Sequence, residues 1–92
     1  MDKENTHIFG KGTVRIPATS ASTTIAHSLG YIPAHLLFTK IGNEYCPVPF
    51  LSPSVVAPLS IYATLDDKDI TIFKNNTTVA QDIYFIIFRE RL

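Results

Sequence analysis

The sequence predicts an all-β domain, a small antiparallel β-sandwich or barrel of about seven strands with a proline-rich arm or loop. Three observations predict it. Val, Ile, Thr, Tyr and Phe fill the apolar stretches, with turn residues between them at short intervals. No segment sustains an i, i+3, i+4, i+7 apolar pattern over three helical turns. Pro17, Pro33, Pro47, Pro49, Pro53 and Pro58 interrupt every window where a long helix would sit.

Read with a period of two, the chain opens on His7–Phe9 and Thr13–Ile16, with Gly10-Lys11-Gly12 between them as a hairpin loop. In Ser22–His27, residues Thr23, Ile25 and His27 share one face, and Thr24 and Ala26 the other. Ser28-Leu29-Gly30-Tyr31 turns the chain, and Pro33 opens Ala34–Lys40. There His35, Leu37 and Thr39 face opposite to Ala34, Leu36 and Phe38. Ile41-Gly42-Asn43 leads into Glu44–Val48. From Pro47 to Pro58 four prolines are interspersed with Val48, Phe50, Leu51, Val55 and Val56, a segment restricted to edge or irregular positions. It reads as a loop pinned over the core, or as an arm to a neighbour.

The last third is the most regular. Leu59, Ile61, Ala63 and Leu65 alternate with Ser60, Tyr62, Thr64 and Asp66; Asp67-Lys68 turns, Ile70–Phe73 returns, and Asn75-Asn76-Thr77-Thr78 turns again. Asp82–Arg89 is expected to close a three-stranded meander. This strand is apolar on both sides, with Ile83, Phe85 and Ile87 on one and Tyr84, Ile86 and Phe88 on the other. A second surface is needed to cover it, either the proline-rich arm or another subunit.

Ninety-two residues make a single domain, 1–92, with residues 1–6 expected to be flexible. A chain of this size buries only about two-thirds of its unfolded surface, so outside support is valuable. Cys46 is the single cysteine and forms no intrachain disulfide, and no Cys/His pair stands at metal-ligand spacing. A neighbouring subunit is the remaining source. Eight basic residues balance eight acidic ones without a basic cluster, which argues against a nucleic-acid partner. The N-terminus lacks an apolar leader, and the longest apolar run, Ile83–Phe88, falls well short of the ~20 residues of a membrane helix. A protein made in a cytoplasm, with no membrane partner, is expected.

The residue types that carry chemistry read as structural. His7, His27 and His35 match no metal signature. His27 and His35 flank a turn and, as cross-strand neighbours with Cys46 or an Asp, would hold zinc; the alternative is that His27 fastens the turn by a hydrogen bond. No serine sits in a glycine-flanked elbow, and Cys46 has no helix N-terminus to activate it. Asp66, Asp67 and Asp69 suit a hairpin turn better than a calcium loop. Gly10, Gly12, Gly30 and Gly42 are isolated, so no phosphate loop is present. These readings predict no enzyme, no catalytic residue, no metal and no cofactor. Tyr45 and Tyr62 are candidate ligand contacts. Val48, Phe50, Leu51, Val55, Val56 and Tyr84 are candidate subunit contacts.

One segment carries a resemblance. Thr23-Thr24-Ile25-Ala26-His27-Ser28-Leu29-Gly30-Tyr31-Ile32-Pro33, followed by Leu36-Leu37-Phe38, resembles a pattern of small phage virion proteins, with Ser28 where Asn is more frequent. The final strand, ending Ile86-Ile87-Phe88-Arg89-Glu90, is also similar. The likeness covers about two-thirds of the chain. It implies a β-sandwich of the head-decoration, head-fibre or tail-fibre type, usually trimeric, in which His27, Leu29, Gly30, Tyr31 and Pro33 build a structural turn. It further implies a location in the virion, with the major capsid protein or tail proteins as partners. A looser likeness to sugar-binding sandwiches of the H-type lectin kind implies, as the alternative, a receptor-binding module for a host surface glycan.

Overall fold

A computed structural model describes residues 7–51, 59–75 and 78–92. They form eight strands: β1 (Ile8–Ile16), β2 (Ser22–Ala26), β3 (Pro33–Ile41), β4 (Glu44–Pro47), β5 (Phe50–Leu51), β6 (Ser60–Leu65), β7 (Asp69–Lys74) and β8 (Gln81–Arg91). A first antiparallel sheet runs β1-β8-β3-β4 and a second runs β2-β7-β6-β5. The architecture is therefore a two-sheet sandwich, with eight strands rather than seven.

Side-chain alternation produces the core. Ile16, Leu37, Ile83 and Ile87 turn inward from the first sheet, and Ile25, Ile61, Ile70 and Ile72 from the second. Seven of these eight are isoleucine, whose branched Cβ suits a pleated surface. Full burial of each such side chain contributes about 1.5–3 kcal/mol. Ile25 and His27 are buried while Thr24 and Ala26 are exposed, as the alternation predicts. Leu37 and Thr39 are buried on β3, and Leu36 lies outward.

Two elements differ from the sequence expectation. The segments His7–Phe9 and Thr13–Ile16 do not form a hairpin around Gly10-Lys11-Gly12. They belong to one strand, β1, paired along β8 from Gly10↔Ile87 to Ile16↔Gln81, with an irregularity between Ile8 and Gly10. Positive φ among the glycines occurs at Gly30 and Gly42, not at these two. Gly12 lies under the Phe85 ring, where a Cβ would sit 3.5 Å from the nearest ring carbon. Gly10 borders a bulge and Gly12 faces the Phe85 ring with space for ordinary van der Waals contact, so neither marks a turn.

The three-stranded meander is also corrected. β6 and β7 form a hairpin, but β8 crosses to the other sheet and lies between β1 and β3. That central place satisfies its edges, while its two apolar sides meet different surroundings. Ile83 and Ile87 enter the core, while Tyr84 and Ile86 meet Phe38 and Leu36 of β3 on the outer side. Pro47 and Pro49 lie where such residues are tolerated, within or beside β4 and β5, which are both edge strands. The Val48–Pro49 peptide between them is cis.

Candidate functional site

The end of the sandwich beside His27 is a densely hydrogen-bonded corner. The Leu29 amide donates to His27 Nδ1 at 3.0 Å, so that nitrogen carries no proton. The other nitrogen, Nε2, must then be the N–H that donates to the Asp66 carbonyl at 3.0 Å. A neutral imidazole thus joins the β2–β3 connection to the β6–β7 turn. Around it, the His27 and Ser28 amides donate to Lys68 O at 2.8 and 2.9 Å, and the Gly30 amide donates to Asp67 O at 2.9 Å. Ser28 (φ 53°) and Gly30 (φ 82°) both adopt left-handed backbone, which explains why Asn or Gly suits such positions.

Further out, the Tyr31 hydroxyl donates to Arg89 O, and the Arg91 guanidinium sits 5.0 Å from the Tyr31 ring centre. Leu29 packs on the core and Pro33 is buried. The turn residues His27, Leu29, Gly30, Tyr31 and Pro33 thus come together as one structural knot. His27 and His35 are not cross-strand neighbours, which corrects the zinc alternative: β2 and β3 lie in different sheets, and His35 Nδ1 bonds to Pro33 O. Among the described residues, no three His, Cys, Asp or Glu groups converge. Cys46 is half-buried and pairs with Thr39.

Two carboxylates fasten the fold by their charge. Asp66 Oδ1 accepts from the Lys68 and Asp69 amides at 2.8 and 2.7 Å, and these bonds hold its pKa below the ordinary value. Asp82 receives Arg15 Nε at 2.8 Å and Nη2 at 3.3 Å, which depresses its pKa likewise. Because both folded values lie below the unfolded one, their stabilisation is present at neutral pH and disappears as pH falls through the folded values. We expect the melting temperature to be flat in this respect above about pH 5 and to drop below about pH 4. In the Asp66→Asn, Asp82→Asn double variant that acid dependence should be visibly reduced when melting is followed by circular dichroism.

The outer faces of the two sheets are chemically unlike. On the first sheet Tyr84, Ile86 and Phe88 of β8 lie beside Leu36 and Phe38 of β3, with Tyr45 of β4 at the margin. Leu36 is 46% exposed and Tyr45 56%. The Tyr45 and Tyr84 rings meet edge to face, 5.0 Å between centres, and Lys40 Nζ lies 5.6 Å from the Tyr45 ring centre. The second sheet exposes Ser22 and Thr24 of β2 and Tyr62 and Thr64 of β6.

This arrangement redistributes the predicted contact residues. Tyr84 is on the outer apolar face. Val48 and Phe50 instead pack against the chain's own core, while Leu51 is exposed at the edge of the second sheet. Val55 and Val56 lie outside the described residues. Tyr45 and Tyr62 belong to opposite sheets and do not form one ligand platform. Sequence reasoning placed Ile86 and Phe88 on an apolar face in need of cover, but left them, with Leu36 and Phe38, out of the candidate contact residues. It also missed Phe73, the ring against which Tyr62 stacks. Compared with family models, curated proteins and solved structures, the chain gives no match.

Proposed function

We propose that this protein is a structural virion subunit of a bacteriophage, of the capsid-decorating, head-fibre or tail-associated kind, which works by packing and not by catalysis. The observation that carries the packing part is the outer face of the first sheet. Six apolar or aromatic side chains (Leu36, Phe38, Tyr45, Tyr84, Ile86 and Phe88) occupy three adjacent strands there. A contiguous apolar patch of this kind marks an interaction site. Burying it in an assembly adds apolar area that a 92-residue chain cannot bury alone. The phage setting, the trimeric state and the capsid or tail partners rest on the resemblance of the His27–Pro33 segment.

Light scattering on the purified chain tests the packing reading. A homo-oligomer at micromolar concentration is expected. The Leu36→Lys, Ile86→Lys double variant should be a folded monomer, because two cations then lie in the buried patch. A wild-type chain that stays monomeric, or a double variant that still assembles, would overturn the reading.

A further inference from the structure

We infer that the outer face of the second sheet is a shallow binding surface for a neutral sugar, centred on Tyr62. The pairing register sets the side chains in rows across three strands. Ser22, Phe73 and Tyr62 form one row, and Thr24, Thr71 and Thr64 form the next. Neighbouring strands lie about 4.8 Å apart, so the second row sets three threonines side by side at that backbone spacing. In the first row the Tyr62 ring stacks on Phe73, with centres 5.0 Å apart and planes 19° from parallel. Tyr62 is nevertheless 50% exposed.

A pyranose matches these two rows. Its C–H face is apolar and packs on an aromatic plane, while its rim of hydroxyls both donates and accepts hydrogen bonds. A threonine hydroxyl does the same, and an ammonium or carboxylate does not. The charge pattern fits a neutral ligand. No Lys or Arg stands in either row, which disfavours phosphate or a polyanion. Among the described residues neither row holds an aliphatic side chain, and Ala26 and Leu51 stand at the margin, so a protein partner fits less well.

The surface is also prepared in advance. Threonine is stiff about χ1, and the stack on Phe73 limits Tyr62, so little side-chain freedom is lost on binding. Among the described residues no enclosed pocket is found, which makes a single contact weak and gives value to several copies presented together. This face is opposite the one assigned to subunit packing, so the inference stands whether or not that reading does.

The test is titration of the isotope-labelled full chain with glucose, galactose, mannose, N-acetylglucosamine and their short neutral oligomers, followed by amide shifts. At least one sugar should shift the amides of Tyr62, Thr64, Thr71 and Phe73 saturably at millimolar concentration. Tyr62→Ala should weaken that binding about tenfold or more, and Tyr62→Phe should retain it. The inference is overturned if no sugar moves these amides, if the shifts map elsewhere, or if Tyr62→Ala titrates like the wild type. It is equally overturned if Tyr62→Ala dissociates the oligomer, since the face would then be a subunit contact. Continued assembly of the Leu36→Lys, Ile86→Lys variant would count against the packing reading alone.

Discussion

Replacing Ile83 by alanine is expected to destabilise the fold by about 2–5 kcal/mol. Ile83 is fully buried on β8, paired with Val14 on one side and Thr39 on the other. Its loss leaves a cavity that two hydrogen-bonded sheets are poorly placed to collapse into. Small domains have total stabilities of roughly 5–15 kcal/mol, and this one belongs near the lower end. The urea midpoint should fall by half or more, and the melting temperature by about 10 °C or more. Ile83→Val should cost only about 0.5–1.5 kcal/mol. Ile86→Ala, on the outer face, should change monomer stability far less than Ile83→Ala. Equal losses at the two positions would contradict the assignment of inner and outer faces.

The second large effect is expected at His27. His27→Ala removes the partner of the Leu29 amide and the partner of the Asp66 carbonyl together. Each unpaired buried polar group costs about 1–3 kcal/mol, so the variant should lose a comparable or greater amount in all. Two conservative changes separate the bonds. Asparagine reaches as far as Nδ1 and its carbonyl accepts from the Leu29 amide, so His27→Asn should recover part of the loss. Glutamine reaches as far as Nε2, and its amide donates to Asp66 O, so His27→Gln should recover the other part. Urea unfolding of the three variants checks this. If all three were as stable as the wild type, the corner would not depend on the imidazole. Hydrogen exchange at Leu29 should be fastest in His27→Ala and His27→Gln.

The sandwich class was legible because β-branched residues at period two leave few other solutions. The inward sets on β2, β3 and β6 were legible for the same reason, as was the turn built by His27, Gly30 and Pro33. Strand partners were harder to read. β8 follows β7 in the chain, so a meander was the simplest expectation, and its apolar character on both sides called for cover without specifying its neighbours. Gly10 and Gly12 suggested a loop because glycine serves turns, bulges and close approaches alike, and the deciding neighbour, Phe85, is 73 residues away from Gly12. The same limit applied to the site residues. Tyr45 and Tyr62 looked equivalent as exposed aromatics, and only the sheet order puts them on opposite sides of the molecule. The row of Thr24, Thr71 and Thr64 depends on the register of three strands, which no single strand contains.

The place of β8 also governs the order in which the fold can arise. It provides the hydrogen-bonding bridge between β1 and the β3–β4 pair, and it is synthesised after all of them. The strands of the second sheet, β2, β5, β6 and β7, all precede β8 in the chain, so that sheet needs none of residues 81–91 for its hydrogen bonds. The first sheet must wait, and closing it requires contacts such as Ile16↔Gln81 across most of the chain. Until residues 81–91 emerge, Ile16 and Leu37 lack the strand that joins their sheet, and β1 and β3 present open edges. Such edges are where chains associate wrongly. The nascent protein is thus most exposed to misassembly just before β8 is complete.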